Sequence, residues 1–429
     1  MFISRFRNFG RDAYAWAFYD WANSSFATVV LAGFFPIFFK EYWSFDKPVT
    51  ESTFFLGAAN SSASLIILIL APILGAIADR GRAKKRFLSF FVSLGVIGTG
   101  LLYFVVKGDW AWACLFYMAA TMGFMGANIF YDAFIVTVSE RKNLDIVSAL
   151  GFSLGYLGGG LLFLICVLMA LYPGFFGFSD TSSAIKFSFL LVAIWWAVFS
   201  LPMFRCVKEP DRSGAGLKHA VKEGLIQLEA TFHHIKKYKK VGLFLLAYWL
   251  YIDGVDTVVR MAVDYGLSIG FKADGLMVAL LITQFVGFPA ALVFGRIGEK
   301  IGARNGILIG ISVYFVITLW GYFMDSAWEF YAIAVVVGLV QGGVQLLSRS
   351  YFARLIPKDQ AGEFFGFYNM LGKFAVIIGP FMMGSVSKLS GNPRFGILSL
   401  LVLFSAGGAM LLYADKLKAT SKKWAGHKR

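Results

Sequence analysis

The chain of 429 residues is 58% hydrophobic and 15% charged, with a mean hydropathy of +0.69. Soluble domains carry about 25% charged residues, so this composition excludes a globular protein dispersed in water and makes lipid the expected solvent. A formal net charge of +15 would suit nucleic acid only if the basic residues formed one face of a binding fold; they gather instead in short runs between apolar stretches, which excludes that partner.

Crossing a bilayer core takes about 20 apolar residues. Runs of that kind predict spans near 14–39, 54–78, 87–106, 110–138, 146–172, 185–204, 241–265, 275–298, 306–323, 327–350, 361–387 and 394–414. About twelve helices define an all-α membrane protein, with tight turns near 107–109 and 325–326. The start MFISRFRNFGRDAYAW is basic but enters the first span without a small-residue cleavage site, so no removable signal peptide is expected. An even number of spans puts both ends of the chain on one side. The segments on that side are 1–13, 79–86, 139–145, 205–240, 296–305, 349–362 and 415–429, and they hold 31 of the 40 Lys and Arg residues. The positive-inside rule then places both termini in the cytoplasm, and the excess charge is read as topology determinants and anionic-lipid contacts.

The segment 205–240 divides the chain into an N-terminal six-helix half (1–204) and a C-terminal half (241–415), followed by a basic tail (416–429). Within it, Leu217, Val221, Leu225, Leu228, Phe232 and Ile235 fall on one helical stripe and lysines on the opposite face. That pattern predicts a helix lying on the inner membrane surface; a partner-binding role would use the same stripe.

The halves repeat. GAIADRGRAKK (75–85) returns as GRIGEKIGARN (295–305), so that Gly75, Asp79 and Arg80 correspond to Gly295, Glu299 and Lys300. Asp20, Asn23 and Ser24 correspond to Asp253, Asp256 and Thr257, and Asn128 and Asp132 to Gln345 and Arg349. Both copies run in the same orientation. Two such parallel six-helix repeats resemble the major facilitator architecture, which implies a substrate site between the halves near the membrane midplane.

A charge at mid-membrane costs from about 2.5 to more than 10 kcal/mol, so polar groups inside spans are expected to face a cavity or a partner. Asp20, Asn23 and Ser24 share a face of the first span, and Asn128 and Asp132 a face of the fourth. Asp253, Asp256 and Arg260 follow one another on the seventh, with Asp264 further out. Gln341, Gln345 and Arg349 line the tenth, and Asn369 and Lys373 the eleventh. This set predicts a polar cavity for substrate and protons, with Asp20, Asp253 or Asp256 as the proton carrier. The alternative is internal pairing that only holds helices together, Asp256 with Arg260 and Asp132 with Arg349. At the cytoplasmic ends, Gly75, Asp79, Arg80, Arg82, Glu299 and Arg349 are the expected gate. The wording G-x-x-x-D-R-x-R-x-K-K resembles the cytoplasmic gate motif of major facilitators, in which the Asp and Arg tie the halves together through charge-assisted bonds. Glycine clusters at 150–162 and 372–384 predict close helix packing, and Gly379–Pro380 a kink in the eleventh span.

YDWANSSFATVV (19–30), GYLGGGL (155–161), YIDGVDTV (251–258), QLLSRSYFARLIP (345–357) and EFFGFYNMLGKFAVIIGP (363–380) together resemble the vacuolar-effluxer-like branch of the major facilitators. Its eukaryotic member is the autophagy-related vacuolar amino-acid exporter, and its bacterial members were long grouped as an unknown major facilitator family. The resemblance implies that spans one, four, seven and ten line the cavity, that the chain acts as a monomer, and that its substrates are amino acids or similar small metabolites. Short loops fit a bacterial inner membrane, a plasma membrane. Export of an amphiphile or lipid on the same fold is the main alternative; a non-transporting scaffold or receptor, and a channel, are others. An intramembrane enzyme is not expected, because no span contains a histidine and no catalytic constellation is visible. Cys114, Cys166 and Cys206 fit neither a disulfide framework nor a metal site, and no cofactor is expected. No nucleotide-binding loop is present, which argues against direct ATP drive.

Overall fold

The computed structural model describes residues 9–81, 83–209, 239–268, 273–374 and 378–416. Every regular element among them is helical. In chain order these are α1 (Arg11–Trp43), α2 (Val49–Gly81), α3 (Lys84–Leu101), α4 (Trp110–Val138), α5 (Leu144–Leu171) and α6 (Thr181–Cys206) in the first half. The second half has α7 (Lys239–Ser268), α8 (Ala273–Ile301), α9 (Ala303–Phe323), α10 (Ala327–Leu355), α11 (Ala361–Phe374), α12 (Ile378–Ser390), α13 (Pro393–Leu398) and α14 (Leu400–Lys416). Among the described residues, eleven helices are long and apolar enough to cross a membrane. The expected crossing at 361–387 falls on α11 and α12, each too short to span alone, with 375–377 outside the described residues. The amphipathic stripe at 217–235 and the tail beyond 416 also lie outside them.

Local sequence explains several departures from regular helix. In α1, wide π-helical turns run Phe26–Phe34 and Phe39–Trp43, on either side of Phe35–Phe38. Pro36 sits in that short piece and has no N–H for the ladder, a common cause of local rewinding. The wide turns do not disturb packing: Phe35 stacks on Tyr117 of α4 with ring centroids 3.8 Å apart. Between α3 and α4 the turn is made by Gly108 at φ +91°, which a side chain would strain.

The face bearing both ends of the described chain is called the terminal face, and the opposite one the far face. Buried apolar residues form two clusters. The larger joins both halves, from Trp16, Tyr131 and Leu144 to Tyr251, Leu347 and Phe365. The second is built on the first half, from Phe26 and Phe35 to Trp196. Across the halves, α5 packs against α8 and α10, and α2 and α4 against α11. Large apolar side chains such as Ile69, Phe90, Ile97, Val316 and Val402 remain exposed on the outer surface. Lipid is the solvent in which such a surface costs nothing.

Candidate functional site

Arg349 is the centre of a buried polar cluster that joins the two halves. It lies six residues before the end of α10, about 9 Å from the terminal face at 1.5 Å rise per residue. Its Nη1 is 3.2 Å from Asp132 Oδ1 and 3.5 Å from Asp20 Oδ2. Its Nε donates to Ser148 Oγ and its Nη2 to the Ser148 carbonyl, both at 3.0 Å. The guanidinium plane is enclosed by the rings of Phe152, Trp16 and Tyr131, with Cζ 4.4, 4.8 and 5.5 Å from their centroids. Tyr131 donates its hydroxyl to Asp20 at 2.7 Å, and Asn369 of α11 donates to the other oxygen of Asp132 at 3.0 Å. A buried ion pair is tolerated only when its remaining lone pairs and protons are satisfied, and these partners provide that. Asp20, Tyr131, Asp132 and Ser148 come from the first half and Arg349 and Asn369 from the second, so the cluster fastens one half to the other.

Sequence alone places Asp20 and Asp132 in the cavity and Arg349 at the gate, with pairing of Asp132 to Arg349 across the halves as the alternative, and that pairing is present. The structure merges the three, because two carboxylates in low dielectric draw in the guanidinium that can reach them. They lie in the terminal third of the bundle, below the midplane.

A second polar layer lies at mid-depth. Asn23 donates to Asn128 across 2.7 Å. Asp253 is 1% exposed; its Oδ1 accepts from the backbone N–H of Gly379, in the first turn of α12, at 2.9 Å, and from Thr257 at 3.4 Å. Asp253 Oδ2 and Gln341 Oε1 are buried and find no hydrogen-bond partner among the described residues. Asp256 and Gln345 are half-buried in the same region. Tyr156 of α5 crosses into the second half, where its ring fills the notch left by Gly287 and Gly342. The side chains of Arg260 and Lys373 lie outside the described residues, so the expected Asp256–Arg260 pairing does too.

The terminal face is closed by a third set. Asp79, at the end of α2, accepts from the backbone N–H groups of Gly362 at 3.0 Å and Glu363 at 2.8 Å, the first turn of α11. Lys84 pairs with it at 2.6 Å. Gly75 lies so close to the Gly362 carbonyl that a Cβ would collide with it. On the other side of the pseudo-twofold, Asp145 at the start of α5 holds Arg354 of α10 through two bonds of 2.7 Å and accepts a short hydrogen bond from Ser350. Glu299 is half-exposed at the end of α8; the side chains of Arg80 and Arg82 lie outside the described residues. Asp145, Arg354, Ser148 and the aromatic box around Arg349 are not expected from the sequence. Neither helical periodicity nor the distribution of charge finds them, since Trp, Tyr and Phe are everywhere in this chain and Asp145 reads as part of a loop.

The family described as vacuole effluxer Atg22-like matches residues 47–423. An uncharacterized MFS-type transporter of Bacillus subtilis, YxiO, is 38% identical over 96% of this chain and 97% of its own. Autophagy-related protein 22 of Yarrowia lipolytica is 22% identical over 86% of this chain and 76% of its own. Among solved structures, the human organic anion transporter MFSD10 superposes with a TM-score of 0.68 at 14% identity, covering 93% of this chain and 98% of that one. A bacterial homologue of the iron transporter ferroportin, in an outward-facing state, does so with 0.67 at 11% identity, covering 95% and 99%. At such identities the likeness concerns the fold: two six-helix halves of the major facilitator type.

Proposed function

Since the chain belongs to the vacuole effluxer Atg22-like family of major facilitator transporters, we propose that it exports amino acids or similar small metabolites by proton-coupled alternating access. The observation that carries the reading is the stacking of two polar layers. Arg349 with Asp20 and Asp132 closes the halves toward the terminal face, while Asp253, Asp256, Gln341 and Gln345 lie above that closure at mid-depth. A zwitterion has matching chemistry: an ammonium for the carboxylates and a carboxylate for the side-chain amides of Gln341 and Gln345. On this reading both termini are cytoplasmic, the membrane is a bacterial inner membrane, and residues 1–204 and 241–415 are the moving bodies.

The closure contains one guanidinium and two carboxylates, so one negative charge is uncompensated in low dielectric. A proton on Asp20, the more distant of the two from Arg349, removes it. Arg349 then has one carboxylate partner instead of two, and the halves part more readily. Proton entry and opening of the terminal face are thereby linked.

The test is efflux from liposomes loaded with amino acids, dipeptides and small metabolites, with an imposed pH gradient and mass-spectrometric profiling of what leaves. Gradient-dependent release of amino acids, lost in Asp253→Asn and uncoupled from the gradient in Asp20→Asn, is expected. Release that stays gradient-driven in Asp20→Asn removes Asp20 as the proton carrier. Movement of amphiphiles alone overturns the amino-acid reading.

A further inference from the structure

The chain that leaves α6 is fastened to the bundle before it enters the segment joining the halves. Val207, the first residue past the helix, turns extended at φ −74° and ψ 123° and is fully buried in the larger apolar cluster. Lys208 is exposed and Glu209 half-buried, the alternation of an extended chain. Glu209 Oε1 accepts from the backbone N–H of Lys84 at 2.9 Å, across 125 residues of sequence. Two successive inward positions thus tie the end of α6 to the turn between α2 and α3.

Lys84 is the first residue of α3, and its N–H is one of the four that an α-helix leaves without an internal partner. The usual provider is the side chain just before the helix. Here that residue is Ala83, which has no acceptor to offer. Glu209 takes its place from the end of α6, and its negative charge suits the positive end of a helix. The same lysine reaches Asp79 with its ammonium at 2.6 Å, and Asp79 accepts from the N–H groups of Gly362 and Glu363 in the second half. One residue therefore carries both links, its main chain to Glu209 and its side chain to Asp79. Lys84 and Asp79 are both buried. The lysine stem is a flexible four-carbon chain, so the resting place of its ammonium depends on how firmly its main chain is held.

We infer that Glu209 is a positioning residue for closure of the terminal face. It fixes the start of α3, which sets the Lys84 ammonium on Asp79, and Asp79 holds the start of α11. Its effect on the second half is indirect and runs through Lys84. The segment that joins the halves is in this way attached to the closure at its first residues, and a pull on that segment reaches the Asp79 bonds. The inference rests on the Asp79 contact holding the face shut and not on which solute is carried.

The test reads access from the terminal side, as the rate at which a membrane-impermeant maleimide alkylates Gln345→Cys in a cysteine-free background, in sealed vesicles with the terminal face outward. Glu209→Ala should raise that rate about fivefold, in the range that loss of a helix cap produces. Glu209→Gln keeps an acceptor for the Lys84 N–H and should raise it about twofold; it carries the test if Glu209→Ala does not fold. The Glu209→Ala, Asp79→Asn double variant should be no faster than Asp79→Asn alone, because both changes act on one link. Asp180 caps α6 at the far face through a bond of 2.8 Å from the Ser183 N–H, so Asp180→Ala removes a comparable cap away from the closure and should leave the rate unchanged. An unchanged rate in the Glu209 variants, full additivity in the double variant, or an equal rise in Asp180→Ala overturns the inference. No substrate is present in this measurement, so failure of the amino-acid export reading would leave its result standing.

Discussion

Asp132 and Arg349 occupy corresponding places in the two repeats, 217 residues apart, and form an ion pair of 3.2 Å with each other. A pseudo-symmetric position has diverged into opposite charges, so that the two halves recognise each other through their own repeat.

Removing Arg349 leaves Asp20 and Asp132 buried without their cation. Arg349→Ala should lower stability by about 3–5 kcal/mol, the cost of an orphaned buried charge. Adding Asp132→Asn should recover part of that loss, a non-additivity that thermal unfolding of the four proteins in detergent measures. Arg349→Lys keeps the charge but not the fork that reaches Asp132 and Ser148 together, and transport should fall at least tenfold.

Tyr156 fills a notch that two glycines leave open. A Cβ on Gly342 would lie 2.6 Å from its ring, and one on Gly287 2.8 Å. Gly342→Ala should destabilise by about 1–3 kcal/mol, as over-packing does. In a Tyr156→Ala background the same change should cost much less. Equal costs in the two backgrounds would show that the ring does not wedge the halves.

Asp79→Asn keeps one acceptor for the first turn of α11 but loses the charge that Lys84 and the helix end attract. The terminal face should open more often. In a cysteine-free background, alkylation of Gln345→Cys by a membrane-impermeant reagent added from the terminal side should speed up several-fold. An unchanged rate would mean that the Asp79 bonds do not hold the face shut.

At the far face, Asp180 precedes α6 and accepts from the backbone N–H of Ser183 at 2.8 Å. That bond, helped by the Ser179 hydroxyl, holds its carboxyl below the usual range. A depressed carboxyl stabilises the fold above its unfolded value and loses that contribution as pH falls through the folded one. Asp180→Asn keeps an uncharged cap at every pH. The wild type should therefore melt slightly higher at neutral pH, and the gap should close on acidification.

The apolar runs and the basic residues gathered between them make the helices and their repeat readable, and the cost of buried charge singles out Asp20, Asp132, Asp253 and Arg349. Their partners are less legible. Asp79 and Asp253 each bind a backbone N–H, of Gly362 and of Gly379, and main-chain donors have no signature in a sequence. Ser148 and Phe152 around Arg349 are residue types found along the whole chain. The wide turns of α1 flank Pro36, but their extent back to Phe26 and on to Trp43 is not encoded in a hydropathy pattern. Arg354 reads in the sequence as a topology signal, although its carboxylate partner Asp145 lies in the other half.

The contact of Gly75 and Asp79 with the start of α11 has a kinetic consequence. The Gly75 approach is main chain against main chain, which cannot ease by a change of rotamer, and the two Asp79 oxygens are held by consecutive N–H groups of one helix start. The bonds to Gly362 and Glu363 must break together with the close approach at Gly75. Opening at this seam is then a single concerted event with a steep temperature dependence, and intermediates with a half-parted seam should be too short-lived to accumulate.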